Sequence, residues 1–315
     1  LGSKGERLDA GRTEVVLADG TAYPYDKCIY ALGSYSFVPP IKGKELPEVT
    51  PVRTIADVMK VRSFAEGAKS AVVIGGGVLG LEAAWELRKE KLDVTVLEGA
   101  PVPMAGKVDA ETANLLIGIA AKNGITIKTG VKISEIAGNG HVDGVLLEGG
   151  EKIPADLVII STGVRANIAV AEDAGLITER AVVVNEKMET GVEGIYACGD
   201  CAQFNGANIA IWPVASEMGR IAGANAAGEA LPYRPETQGM TFHGINTALF
   251  AIGDVGTKPD AQYKILEIRD DKKSTLEKYY FVNNVVCGAI LLGDTSKMAT
   301  ASEAIKAQKT FKEIF

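Results

Sequence analysis

A chain of 315 residues, 47% apolar and 23% charged, has the size for two or three soluble domains with ordinary cores. The net charge of -7 carries no basic stripe to track nucleic-acid phosphates, and no apolar run approaches the ~18 residues of a membrane-spanning helix. Neither a nucleic-acid nor a membrane partner is therefore expected.

The start of the chain shows no signal-peptide pattern. Its four cysteines, Cys28, Cys198, Cys201 and Cys287, are irregularly spaced, which fits a reduced cytoplasm better than a disulfide framework. His141 and His243 are the two histidines and lie far apart, so no metal site is expected.

Residues 1–12 are polar and glycine-rich and read as a frayed end. From Val15 the sequence VVLADGTAYPYDKCIYALGS predicts a hairpin-like pair of strands closing on Gly33. Residues 39–68 hold Pro39-Pro40 and a charged helix near 54–64, forming a crossover.

Next comes the stretch that organises the chain. Ala71-Val72-Val73-Ile74 is too short for a helix and reads as a buried parallel strand. Gly75, Gly77 and Gly80 fill G-x-G-x-x-G, and residues 81–91 are strong helix formers. Val94 to Leu97 make a second strand ending on Glu98.

That βαβ unit is the dinucleotide fingerprint in its proper context. Gly75 permits the tight turn, Gly77 lets backbone approach a pyrophosphate, and Gly80 lets helix and strand pack closely. The amides around Val78 and Leu79 and the positive helix end would hold the phosphates. Glu98 stands where a carboxylate accepts both adenosine ribose hydroxyls. A 2′-phosphate would face that carboxylate, at a cost on the order of several kcal/mol. Gly99-Ala100 follow without an arginine, so NADH is favoured over NADPH.

A helix near 109–123, a strand at 125–129, a meander over 131–147 and a strand at 156–161 continue this unit. The segment from Val145, VLLEGGEKIPADLVIISTGV, repeats the segment from Val15 without a gap at an offset of 130, from Leu17 to Leu147 and from Gly33 to Gly163. The later copy is the tail of a complete unit, whereas the earlier one has the tail only. The expectation is that the chain begins inside a first dinucleotide-binding domain whose own glycine loop it lacks.

Beyond Gly163 the sequence predicts a polar connector with a short strand at 182–184, then residues 189–200 and a small-residue helix over 214–229. Strands at 245–252, 262–269, 276–283 and 285–292 and a helix over 297–312 close the chain. Tyr279-Tyr280-Phe281 reads as core or interface.

The fold class is thus α/β, with two Rossmann-like dinucleotide-binding domains, the first incomplete, and a small C-terminal α+β domain. The expected boundaries are 1–50 and 166–235 for the first domain, 51–165 for the NADH domain, and 236–315 for an interface domain.

Four segments resemble the two-dinucleotide-domain flavoprotein oxidoreductases related to glutathione reductase. They are Ile29-Tyr30-Ala31-Leu32-Gly33-Ser34, the loop Gly75 to Gly80, Ser161-Thr162-Gly163-Val164-Arg165-Ala166-Asn167, and Thr190 to Asp200. Gly288-Ala289-Ile290-Leu291-Leu292-Gly293-Asp294-Thr295 is similar to the C-terminal domain of NADH:rubredoxin oxidoreductases and of nitrite reductase flavoproteins.

The resemblance implies FAD and NADH as cofactors. Gly33, Gly163, Gly199 and Asp200 become cofactor contacts, with Asp200 on the FAD ribityl chain. The helix after Pro213 would aim its positive end at the flavin. Glu82 matches the glutamate that positions the nicotinamide and is taken as catalytic. Trp212 either borders the isoalloxazine ring or is a core aromatic.

Cys198-x-x-Cys201 overlaps the flavin motif and reads as two buried small hydrophobes rather than a catalytic disulfide.

The function implied is an NADH-dependent flavoprotein oxidoreductase, passing hydride to FAD and electrons to a small redox protein such as rubredoxin or to a small-molecule acceptor. The alternatives are an NADH oxidase or disulfide reductase of the same superfamily, and a nucleotide-binding or assembly module without turnover. A homodimer, or association with the missing N-terminal segment, is the expected assembly.

Overall fold

The structure, a computed structural model, describes residues 2–314. They divide into two compact units, one of residues up to Phe37 with Gly163–Pro235, the other of Val38–Thr162 with residues from Glu236 on.

The first unit opens with an antiparallel meander of β1 (Gly5–Asp9), β2 (Glu14–Leu17) and β3 (Ala22–Pro24). Then come β4 (Cys28–Tyr30) and β5 (Ser34–Ser36). Residues 5–9 are therefore a strand and not the frayed end expected of them. Their sole strong apolar residue, Leu8, is buried, and β2 supplies the backbone partners. A ladder needs no side-chain alternation when its neighbour is present, so polarity misled the sequence reading.

The second unit contains β6 (Val49–Pro51) and α1 (Ile55–Ala65), the latter opened by a Thr54–Asp57 capping box. β7 (Ser70–Ile74), α2 (Val78–Lys89), β8 (Asp93–Leu97), α3 (Ala110–Lys122) and β9 (Ile125–Lys128) follow. A meander of β10 (Ile133–Gly138), β11 (Val142–Leu147) and β12 (Lys152–Ile153) returns the chain to β13 (Leu157–Ile160).

The parallel sheet has the order β6-β13-β7-β8-β9. Ala71, Val73, Val94, Val96, Leu157 and Ile159 share a core with α2 and α3. Val72, Ile74, Val158 and Ile160 share one with the meander. Covering both faces is what demands unbroken apolar strands here.

The chain then returns to the first unit with β14 (Val164–Ala166), α4 (Ala169–Asp173), β15 (Val182–Val184), β16 (Ile195–Ala197), β17 (Ala202–Phe204) and α5 (Trp212–Ala226). β14 pairs antiparallel with β5, β17 parallel with β15, and β16 parallel with β4.

The 130-residue repeat is structural. Leu17 N–H donates to Thr21 O at 2.9 Å, as Leu147 N–H does to Glu151 O at 2.9 Å, and Gly20 and Gly150 have φ of 85° and 84°. Cys28 N–H donates to Gly194 O as Val158 N–H donates to Glu48 O. The copies differ on their other edge. β13 also carries β7, whereas β4 pairs with β16 alone among the described residues. Ile159 is accordingly 1% exposed and its counterpart Ile29 40%.

The second unit closes with β18 (Gly239–Gly244), β19 (Thr247–Gly253), β20 (Lys264–Asp270), β21 (Thr275–Val282), β22 (Val285–Leu292), α6 (Met298–Lys306) and α7 (Phe311–Ile314). The sheet is antiparallel in the order β18-β19-β22-β21-β20. Leu249, Ala251, Leu276, Tyr280 and Ile290 on one face join the core of α2 and α3, while Phe250, Tyr279, Phe281 and Leu291 on the other pack with α6.

The strand expected over 245–252 is half of a hairpin, and Ile245 and Asn246 form its turn with φ of 55° and 52°. The terminal helix breaks after Lys306, where Gln308 takes φ of 52°.

Candidate dinucleotide and flavin sites

In the second unit the glycine loop lies at the carboxyl ends of β7 and β13, on either side of the point where connections change direction in the sheet. Gly75 has φ of 115°, and a Cβ there would stand 2.2 Å from Ser161 O. A Cβ on Gly80 would stand 2.0 Å from Gly75 O, so helix and strand touch backbone to backbone. Gly77 is different: φ is -75° and a Cβ would meet nothing within 4 Å. Its absence matters only to something lying outside the protein surface.

Gly77 is the N-cap of α2, no side chain caps the turn, and no acidic residue occupies it. Val78 packs against the core, and Leu79 is exposed. The helix start therefore offers amides and a positive dipole end, the combination that binds phosphate.

Glu98 is half-buried at the tip of β8. One carboxylate oxygen accepts the Gly76 N–H at 2.6 Å and the other the Ala100 N–H at 2.7 Å. A carboxylate has about four acceptor positions, so two stay available for sugar hydroxyls. Glu98 thus has a second task that the sequence reading did not contain: it fixes the glycine loop. Met104 shares it, donating its N–H to Gly76 O at 3.0 Å. Met104 does so with φ of 53°, a strain on the order of 1–3 kcal/mol. Nothing in the sequence around residue 104 announces this.

Glu82 sits half-buried on α2 and accepts a long contact from the His243 N–H, at 3.5 Å.

The first unit has its own cluster. Gly199 takes φ of 75°, and its Cβ position lies 3.6 Å from the Ala215 Cβ on α5. Asp200 accepts from Ser34 Oγ at 2.7 Å. Asn208 Nδ2 donates to Asp200 O and Ala202 O at 3.0 and 2.7 Å, holding the loop open. Gly33 and Gly163, with φ of 67° and 91°, have no atom within 4 Å of a Cβ position.

α5 begins with Pro213 in its first turn and no side-chain cap. Trp212 is 86% exposed, which corrects the reading of it as a core aromatic. The buried stripe of α5 is Val214, Met218, Ile221, Ala222 and Asn225, and at helical spacing Trp212 falls away from it. Ser34, Asn208 and the Asn167 amide bond to Leu32 O at 2.8 Å complete a polar frame; the sequence placed Ser34 and Asn167 in the matching segments but assigned contacts to the glycines and Asp200, and it did not single out Asn208.

All four cysteines are free. Cys201 Sγ donates to Cys198 O at 3.2 Å, and burial pushes the Cys198 thiol up to about 11 and that of Cys201 up as well. That is the reverse of an activated thiol. No group of three or more metal-ligating side chains occurs among the described residues, and no described helix is long and apolar enough to cross a membrane.

Residues 1–219 match the family model for pyridine nucleotide-disulphide oxidoreductases. The chain belongs to that family. Residues 240–309 match the rubredoxin NAD+ reductase C-terminal domain. The chain is 31% identical to a nitrite reductase [NAD(P)H] of Bacillus subtilis (strain 168), over 92% of this chain and 36% of that protein. It is 35% identical to a rubredoxin-NAD(+) reductase of Pseudomonas putida, over 76% of this chain and 65% of that protein. It therefore spans only part of these relatives. Among solved structures, a ferredoxin reductase from Rhodopseudomonas palustris superposes with a TM-score of 0.90 at 26% identity, covering 98% of this chain and 77% of that one. The family uses FAD and NADH.

Proposed function

We propose that this chain binds NADH at the glycine loop of its second unit and FAD at the Asp200 cluster of its first. It would serve an oxidoreductase that delivers electrons to a small acceptor, a redox protein in the leading case. The observation that carries the reading is the empty space at Gly77 beside an uncapped helix start and the half-free carboxylate of Glu98. Glu98 also braces the glycine loop, but its remaining acceptor positions, the open space at Gly77 and the uncapped amides together suit a bound nucleotide. Bound together, the two cofactors supply hydride transfer and its conversion to single electrons.

The protein's residues do the placing. The Val78 and Leu79 amides would hold the pyrophosphate, and Glu98 would take the ribose hydroxyls and disfavour a 2′-phosphate. Glu82 would orient the nicotinamide. Ser34 holds the Asp200 carboxylate in place for a flavin side-chain hydroxyl. Gly199 permits close backbone approach, and the open end of α5 would favour negative charge on the flavin. The relatives named for rubredoxin and the match to a rubredoxin reductase C-terminal domain support a redox-protein acceptor. Four free cysteines suit the reducing cytoplasm.

The free edge of β4 favours one addition. The repeat gives β13 a parallel strand leading into a glycine loop, and the same edge of β4 is open, with Ile29 half-exposed. A strand–glycine loop–helix segment pairing there would complete the flavin site. A chain with that edge uncovered also fits the second reading, a nucleotide-binding module without turnover.

Anaerobic mixing of the chain with saturating FAD and NADH separates the two. Loss of the visible flavin band faster than in protein-free solution is the expected result. A rate equal to the protein-free rate would defeat the enzyme reading for this chain.

A further inference from the structure

The segment from Glu98 to Asp109 is tied at both ends. Ala100 is bound to Glu98 and Met104 to Gly76, on the dinucleotide loop itself. At the far end Asp109 caps α3, accepting the Thr112 N–H at 2.7 Å. Its second oxygen accepts Lys278 Nζ at 2.8 Å and Tyr280 Oη at 2.5 Å, both from β21 of the antiparallel sheet. Between the ends, Met104 and Val108 are each 3% exposed, and the exposed turn 105–107 that joins them is closed by the Lys107 and Val108 N–H groups donating to Met104 O at 2.9 and 3.4 Å, which links Asp109 to the Gly76 contact.

Lys278 is itself 3% exposed and faces three carboxylates, those of Asp109, Glu111 and Glu267. Burial would push this lysine down, but its hydrogen bonds to Asp109 and Glu111 outweigh that and hold it above the ordinary lysine range. Burial likewise pushes the Asp109 carboxyl up, and the bonds from Lys278, Thr112 and Tyr280 more than reverse it. Lys278 and Asp109 are therefore both held in their charged forms, with the Tyr280 hydroxyl donated to the same carboxylate.

We propose that Tyr280 and Lys278 are positioning residues for the dinucleotide site, acting through Asp109 and the segment 99–109 to hold the Gly76 peptide and Glu98 in their binding geometry. This gives the antiparallel sheet a part in nucleotide affinity, and it rests on the dinucleotide reading of the glycine loop. Both act at a distance, through their hydrogen bonds to Asp109.

The test is NADH titration, with thermal unfolding on the same samples, for the intact chain and for Tyr280→Phe, Lys278→Met and Tyr263→Phe. Tyr263 is the matched control. Its hydroxyl also donates to a carboxylate, Asp254 at 2.8 Å, and its ring packs edge-on against Tyr280, but the side-chain partners of Asp254 among the described residues are Thr257, Lys258 and Tyr263, none of them in the segment 99–109. Tyr280→Phe should raise the Kd for NADH about fivefold, the weight of one hydrogen bond, and Lys278→Met more than about tenfold. Tyr263→Phe should leave the Kd unchanged.

If Lys278→Met does not fold, Tyr280→Phe alone decides, since it removes one oxygen and keeps the lysine. A Kd unchanged in Tyr280→Phe, or raised equally in Tyr263→Phe, would overturn this inference and leave the dinucleotide site standing. No NADH binding by the unaltered chain would overturn both.

Discussion

Gly75→Ala should lower the unfolding free energy by about 3 kcal/mol and abolish nucleotide binding with it. Two costs combine. A φ of 115° is open to glycine and closed to alanine, at a penalty on the order of 1–3 kcal/mol. The new methyl would also lie 2.2 Å from Ser161 O, a backbone atom that cannot yield unless β13 parts from β7. Parting them opens a core in which Val72, Val73, Val158 and Ile159 are all essentially inaccessible to solvent. Urea denaturation checks the stability. A loss under about 1 kcal/mol would mean that the strand ends are softer than the packing implies.

Glu98→Gln should narrow the preference for NADH over NADPH by at least about tenfold, because it removes the like charge facing a 2′-phosphate. It should also destabilise the chain by about 1–2 kcal/mol. The carboxylate accepts two amides, Gly76 and Ala100, one on each oxygen. Glutamine keeps a single acceptor and turns a donor toward the other N–H, leaving it unpaired. Paired titrations with the two nucleotides read the first effect and denaturation the second. Undiminished discrimination would show that another group faces the ribose.

Where local chemistry dictates structure, the sequence was legible. The strand Ala71–Ile74, the three loop glycines and the acid at Glu98 all carry meaning that spacing alone conveys, and they lie where it places them. The repeat was readable too, because the turn at Gly20 must match the turn at Gly150 if both close the same meander.

What was hidden depends on partners distant in sequence. The strand Gly5–Asp9 exists because Glu14–Leu17 is beside it. Ile245 accepts a left-handed turn although it is a β-branched residue, because its side chain is fully buried and its carbonyl is bound by Asn123 Nδ2 at 3.3 Å. Lys278, in a strand that reads as core, is stable there only because Asp109 and Glu111 arrive from a helix start some 170 residues earlier, at separations of 169 and 167. The difference between the two copies at Ile29, 40% exposed, and Ile159, 1% exposed, needed the fold, because it depends on which strands pair with each.

The most direct measurement is NADH titration of Gly77→Ala beside its thermal unfolding curve. A methyl there meets no protein atom within 4 Å and the backbone is at an unstrained φ of -75°, so the fold has no reason to object. A melting temperature equal to or slightly above that of the parent is expected, with an NADH affinity at least about tenfold weaker, since the methyl fills the space where the pyrophosphate would lie. An NADH affinity untouched by that methyl would contradict that placement.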